Sequence, residues 1–274
     1  MSTSALNIRE QLAGLSPAKR ALIELKLLKK QAAVGEAKPL ISKRPEGVPV
    51  PLSFYQQGLW VLGQLMPETS LYHVPKAVRL TGTLDVAALK KTLDHLVGRH
   101  ESLRTTFATT DGVPMQVISP PCKVALPVID LSGLAEAERE LETRRLLREE
   151  TRRSFDLAHG PLIRALLLRL SDQEHIFLIA MHHIITDGWS VGVMHREFMD
   201  LYEAFASGQP SPLPELKIQY ADYAVWHRQW FRGEVYESQL AYWKKQFKTL
   251  PPPLELPTDH PRPLIQAHKA YRGS

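Results

Sequence analysis

The strongest constraint on the fold lies in "PLIRALLLRLSDQEHIFLIAMHH", residues 161–183. Two apolar runs flank a polar Ser-Asp-Gln-Glu break, a pattern that predicts an antiparallel hairpin. The second run, Ile176 to Met181, is apolar at every position. A strand with one wet face alternates apolar and polar residues. An unbroken run instead predicts a strand covered on both faces, so the hairpin belongs near the middle of a sheet with other layers packed against it.

The flanking sequence supplies those layers. Ser53 is placed to cap a helix over "SFYQQGLWVLGQL". "YHVPKAVRLTG" predicts a strand that Pro75 bends or confines to an edge, because proline lacks the N–H that an inner ladder needs. "DVAALKKTLDHLVGRH" puts Leu89, Leu93, Leu96 and Val97 on one stripe of an amphipathic helix. "SLRTTFATTDGVPMQVI" reads as two strands around an Asp111-Gly112 turn. A charged helix is predicted over about residues 134–152, and further helices over about 189–206, 219–232 and 234–249, before a proline-rich exit from Pro251. No internal repeat is visible. The mixture predicts an α/β sandwich with a mixed, mainly antiparallel sheet and flanking helices.

Ahead of this region, "LSPAKRALIELKLLKKQ" offers Ser16 as N-cap and Pro17 at the first helical position of a short leader helix. It gives way to "GEAKPLISKRPEGVPVP", a Pro-, Gly- and charge-rich linker, so residues 1–47 read as leader and linker and the main domain begins near Val48.

Charge and cysteine content narrow the function. The net charge of +5 hints at nucleic acid, but residues 1–48 hold nine of the 34 Lys and Arg and only four of the 29 Asp and Glu, which leaves 25 of each for the rest. The large domain is therefore neutral, with no basic stripe carrying aromatics, and no nucleic-acid partner is expected. A single cysteine, Cys122, excludes an internal disulfide framework and a Cys-rich zinc site and fits a reducing compartment. No signal peptide or membrane-length apolar run is visible, which predicts a cytoplasmic protein with no membrane partner.

The chemistry concentrates at "MHHIITDGWS", residues 181–190. Neighbouring strand residues face opposite sides of a sheet, so His182 and His183 cannot both enter one cleft if the strand persists through them. One is a candidate for chemistry and the other is structural. Thr186 and Asp187 make the turn, and Gly188 lets the backbone come close to something. Trp189 then starts a helix whose N-terminal amides face the same space. A neutral imidazole at a strand end, beside free amides, suits a group that accepts a proton or steadies an oxyanion. The plainer reading is that the histidines are structural and Asp187 is only an N-cap. A metal site would need a third ligand at a matching position, and the opposed directions of the two histidines weaken it, so no metal is expected.

Four stretches together resemble one family. "MHHIITDGWS" is similar to the HHxxxDG core of the condensation domains of nonribosomal peptide synthetases, which are related in fold to chloramphenicol acetyltransferase. "RHESLRTTF" (Arg99 to Phe107) matches that family's RHExLRTxF motif, and "YADYAVWH" (Tyr220 to His227) resembles its YxDYAVW motif. "SFYQQGLW" (Ser53 to Trp60) resembles its SxAQxRLW motif, except that Tyr55 stands where the family usually has Ala and Gly58 where it usually has Arg. The four occur in the family's order across about residues 48–274. The motifs of the family's second half are not found, so the resemblance implies the N-terminal half of a condensation domain.

The resemblance carries further expectations. It implies a domain of two acetyltransferase-like halves around a tunnel. Upstream and downstream carrier proteins each present a thioester there on a phosphopantetheine arm; no cofactor is bound directly. The downstream amine attacks the upstream acyl thioester and forms an amide. The absent C-terminal half and a downstream adenylation domain are the implied partners. His183, the second histidine of the motif, is the catalytic candidate, either as general base or by positioning the amine and stabilising the tetrahedral intermediate. The resemblance also implies a structural salt bridge from Asp187 to an arginine, with Arg99 and Arg104 as candidates, and room for the tethered arm at Gly188. His182 supports the site. Tyr220, Tyr223 and Trp226, at helical spacing, are read as core, and Trp189 as packing.

Subtype and rival functions separate by pattern. Heterocyclisation domains of similar type replace the histidines by aspartates, and the order Gly188-Trp189-Ser190 favours condensation over epimerisation. "IIT" before Asp187 leans toward joining two L-residues. The alternatives are a stand-alone acyltransferase using coenzyme A, and a non-catalytic module that docks carrier proteins. Intact His183, Asp187 and Gly188 argue against a degenerate domain, and the half-domain is not expected to condense substrates alone.

Overall fold

A computed structural model describes residues 40–252 together with 254, 257 and 261. The predicted leader helix at Ser16 and Pro17 lies outside the described residues, as does most of the proline-rich exit. Every element below falls within Ile41–Ser274.

In chain order the described elements are β1 (Val50–Pro51), α1 (Phe54–Leu65), β2 (His73–Thr81), α2 (Val86–Arg99), a 3-10 turn at Glu101–Arg104, β3 (Thr105–Thr110) and β4 (Val113–Ile118). There follow β5 (Val128–Asp130), α3 (Glu136–Arg152), β6 (Ile163–Ser171), β7 (Glu174–His182), a second 3-10 turn at His183–Ile185, α4 (Gly188–Ala206), α5 (Tyr220–Trp230) and α6 (Gly233–Gln246).

The central hairpin is β6 and β7, and it occupies the middle of a four-stranded sheet of order β2-β7-β6-β5, antiparallel except for the β5–β6 pair. Its doubly apolar pattern has the cause expected. Ile176 and Leu178 point with Leu166, Leu168 and Leu170 into a cluster closed by Leu131 and by Leu146 and Leu147 of α3. Phe177, Ile179 and Met181 point the other way, into the main core with Leu89, Leu93 and Phe107. Period-2 alternation therefore distributes one apolar run between two cores. Pro75 sits on the edge strand β2, where a missing N–H leaves no inner ladder bond unmade.

Local signals account for the other elements. Ser53 and Gln56 form a capping box at α1: the Ser53 hydroxyl accepts from the Gln56 amide at 3.1 Å, and the Gln56 side chain accepts from the Ser53 amide at 2.9 Å. Asp85 caps α2, and Leu89, Leu93, Leu96 and Val97 are all buried on its inner stripe. Asp111 and Gly112, with φ of 50° and 78°, make the tight turn between β3 and β4, where positive φ at both positions matches the twist of the flanking strands.

Three features were not anticipated. Strands β1 and β5, of two and three residues, are too short to show a period. The β3–β4 hairpin joins β1 in a separate three-stranded sheet of order β1-β4-β3. The stretch read as linker is also fastened at its end. Arg44 reaches Asp222 at 2.8 Å and Glu101 at 2.9 Å. Asp222 is only 1% exposed, and a carboxylate buried that deeply requires a paired cation. No described helix is long and apolar enough to cross a membrane.

Candidate active site

Strand β7 ends at His182, and the chain tightens into the 3-10 turn at His183, whose amide donates to the Tyr72 carbonyl at 2.7 Å. The change of backbone divides the histidine pair. His182 is 6% exposed, with its ring close to those of Phe155 and His73, and its Nδ1 accepts from the Ile184 amide at 3.1 Å. Burial, helped by His73 and His183, pushes its pKa down to about 4, so it is neutral under ordinary conditions. His183 lines an open cleft of about 280 Å³ together with Tyr55, Asp187, Trp189 and Tyr220. Its Nδ1 lies 2.7 Å from the Tyr55 hydroxyl.

The turn is fixed from below and from the side. Gln56, 1% exposed, reaches the Ile184 carbonyl at 3.4 Å and so ties the first turn of α1 to the residues after His183. Tyr220, on α5, binds the capping Ser53 at 2.9 Å. Three separate elements therefore meet at the cleft and hold one another in register.

Asp187 is the N-cap of α4: its carboxylate accepts from the Ser190 amide at 2.7 Å. Hydrogen bonds from the backbone and side chain of Ser190 hold its pKa below the ordinary carboxylate value. The expected arginine pair is not formed among the described residues. Arg99, in the last turn of α2, binds Glu197 of α4 at 3.2 Å and the Pro214 carbonyl at 2.6 Å, and Glu197 also contacts His100 at 2.6 Å. Packing of α2 along α4 brings Arg99 opposite Glu197 instead of Asp187. Arg104 donates to the Ser119 carbonyl and lines a different cavity of about 490 Å³, because the 3-10 turn carries it to the start of β3. Arg99 thus braces the helix behind the site, and Arg104 stands outside it.

The helix amides are also less free than expected, since the Asp187 carboxylate occupies that of Ser190. At Gly188 a Cβ atom would meet nothing within 4 Å, and the residue has no positive φ. Neither backbone strain nor a neighbour demands glycine there, so what the glycine preserves is open space in front of the helix. Trp189 is 82% exposed, not packed as the sequence suggested. Tyr220 likewise lines the cleft, while Tyr223 and Trp226 are half-buried beside it. Tyr55 and Tyr220 are the site residues that sequence reasoning missed. The one signal was that Tyr55 departs from the family's usual alanine.

Among the described residues, no group of three or more His, Cys, Asp or Glu could hold a metal ion. What the arrangement offers is an imidazole at the edge of a partly apolar cleft, with one ring nitrogen held by a phenol and a carboxylate-capped helix beside it. Such a group can donate to or accept from a reacting carbonyl or amine.

A family model described as Condensation domain matches residues 48–272, a span that holds every element of the site. A component of the linear gramicidin synthase of Brevibacillus parabrevis is 52% identical over 219 residues, which is 80% of this chain and 4% of that protein. Among solved structures, the X-domain from teicoplanin biosynthesis aligns with a TM-score of 0.71 at 31% identity over 83% of this chain and 49% of its own, and it has also been solved in complex with OxyB. The first condensation domain of the calcium-dependent antibiotic synthetase, in complex with a substrate analogue, aligns with a TM-score of 0.65 at 26% identity over 74% of this chain and 48% of its own. The chain thus spans about half the length of these solved neighbours and a few per cent of that curated relative.

Proposed function

The chain belongs to the condensation-domain family of nonribosomal peptide synthetases, a family that forms peptide bonds, and we propose that residues 48–274 are the N-terminal of that domain's two acetyltransferase-like lobes and supply His183 to the reaction. The observation that carries this reading is the division of the histidine pair. His182 is sealed and neutral, while His183 alone turns into the cleft.

In the reaction proposed, the amine of a downstream aminoacyl thioester adds to the carbonyl of an upstream acyl thioester. The C–N bond forms, the carbonyl π pair moves to oxygen, and collapse expels a thiolate that takes up the proton lost from nitrogen. Upstream and downstream carrier proteins deliver the two thioesters on phosphopantetheine arms, in the cytoplasm, with an adenylation domain downstream. The open space at Gly188 supports entry of a slender arm at this point. The half-length match to the solved neighbours supports a site completed by a facing lobe. Without that lobe two thioesters are not held in attack geometry, and orientation supplies several kcal/mol of such a barrier.

A second reading, a module that docks a partner without catalysis, is favoured only by the similarity to the X-domain seen with OxyB. The intact His183, Asp187 and Gly188 argue for chemistry.

The test is dipeptidyl transfer between two loaded carrier proteins, followed by mass spectrometry, with His183→Ala in the complete domain and with the isolated chain as a second arm. The expected outcome is loss of amide in the variant with its folding unchanged, and no turnover by the isolated chain until the other lobe is added. Near-normal turnover of the variant overturns the assignment to His183. Full activity of the isolated chain overturns the half-domain reading and points instead to a self-contained acyltransferase.

A further inference from the structure

The side chain in polar contact with the His183 ring is that of Tyr55, which stands 128 positions away in sequence. The two rings meet edge to face, with centroids 5.8 Å apart, and the phenol oxygen lies 2.7 Å from Nδ1. Tyr55 is held for this contact. It sits in the first turn of α1, two residues after the Ser53 cap and next to the buried Gln56, whose side chain reaches the same 3-10 turn that carries His183. Both partners are thus anchored to one hydrogen-bonded frame.

The direction of this hydrogen bond decides what His183 presents to the cleft. A neutral imidazole carries one hydrogen on either ring nitrogen, and whatever binds one nitrogen selects the state of the other. Desolvation, then the Asp187 charge and Tyr72, holds the Tyr55 phenol above its ordinary pKa, so it keeps its hydrogen. Among the described residues Nδ1 is the acceptor that hydrogen finds, and no described residue holds Nε2. A phenol is the better donor and an imidazole nitrogen the better acceptor of this pair.

We propose that Tyr55 is a positioning residue for His183: its phenol donates to Nδ1, which places the imidazole hydrogen on Nε2 and turns that nitrogen toward the cleft as a hydrogen-bond donor. This rests on the reading of His183 as the reacting group, and it settles which of the two roles His183 takes in this chain. The Nε2–H stabilises the oxyanion of the tetrahedral intermediate, and the amine's proton passes to the departing thiolate, so that no proton is lost to His183. The alanine usual in the family offers no such donor; the tyrosine is a feature of this sequence.

The test is two-bond proton–nitrogen correlation of the histidine rings in the 15N-labelled 274-residue chain, at mildly alkaline pH where imidazole is neutral. The His183 signals are identified by their disappearance in His183→Gln. The expected wild-type pattern is that of a ring with hydrogen on Nε2 and a hydrogen-bonded Nδ1, and Tyr55→Phe shifts it toward a mixture of tautomers. In the complete domain, Tyr55→Phe lowers kcat about five- to tenfold with KM unchanged, as for loss of one neutral hydrogen bond. A wild-type ring with its hydrogen on Nδ1 overturns the proposal, whether or not the variant folds. So does a His183 pattern unmoved in Tyr55→Phe. If the tautomer follows Tyr55 while His183→Ala still forms amide, the positioning stands and the catalytic assignment of His183 falls.

Discussion

Strand β7 and the turn that follows it are consecutive in the chain and opposite in physics. From Ile176 to Met181 no residue is more than 7% exposed, and each side chain packs into one of two apolar cores. Beyond His183, Ile184 and Ile185 still anchor in the main core, and from Asp187 the chain opens until Trp189 is 82% exposed, with directed polar contacts to the Tyr72 carbonyl, Gln56 and the Asp187 cap fixing its course. Close packing holds the strand, since interior side chains interdigitate with little void. Directed hydrogen bonds, with Ile184 and Ile185 as apolar anchors, hold the turn and leave its outer surface available to reactants. The site therefore borrows rigidity from a region that does no chemistry. Substitutions should separate along that border: costly to stability in β6 and β7, and progressively cheaper toward the cleft.

The largest effect is expected deepest. Leu167, 0% exposed and paired with Phe177, faces the main core. Leu167→Ala should lower unfolding free energy by about 2–5 kcal/mol, the lost transfer energy plus the cavity left behind. Urea denaturation measures it. A loss under about 1 kcal/mol would mean that the strand is no more tightly packed than the turn, and the contrast would fail.

An intermediate effect is expected at the border, and it depends on pH. The pKa of His182 falls from 6.5 to about 4 in the folded protein. Above pH 6.5 the ring is neutral folded or unfolded and contributes no pH dependence. As pH drops from there toward 4, the unfolded chain takes up a proton that the folded one refuses, so stability declines, by about 3 kcal/mol at the lower end. His73, lowered in the same direction chiefly by burial, adds to the slope. His182→Asn keeps an acceptor near the Ile184 amide and removes the titration. The measurement is unfolding free energy against pH in both proteins, with a flatter profile expected for the variant. Identical slopes would place His182 on the wet side of the border.

The same contrast explains what could be read from the sequence. The central hairpin, the Ser53 cap and the buried stripe of α2 follow from residues within a few positions of one another, and periodicity and capping patterns report such relations directly. That His182 and His183 take different environments was expected from strand alternation, but the strand ends at His182 and it is the 3-10 turn starting at His183 that separates them. The partners at the cleft were not legible. Arg99 meets Glu197 across 98 positions and Tyr55 meets His183 across 128, distances over which no local pattern carries information. Trp189 was read as packing from its residue type alone, whereas its place in the first turn of α4 sets it at the lip of the cleft. Strands β1 and β5 escaped because two or three residues cannot display alternation.

The smallest effect is expected at Asp187, and it sharpens the comparison most. If this carboxylate were one half of a buried ion pair, removing it would strand an arginine and cost about 3–5 kcal/mol. The structure gives it a humbler role, since it is exposed and its bond is to the Ser190 amide at the start of α4. Loss of an N-cap costs about 1 kcal/mol, because one amide of the first turn must then be satisfied by water. Asp187→Ala should therefore lower stability by about that amount, and Asp187→Asn, which caps nearly as well, should restore most of it. Thermal unfolding of the two variants distinguishes the cases. A loss near ~4 kcal/mol in both would reveal a charge partner and make the turn as dependent on burial as the strand. A loss near ~1 kcal/mol, recovered by asparagine, would show that the cleft is shaped by replaceable hydrogen bonds and that the strand beneath it provides the stability.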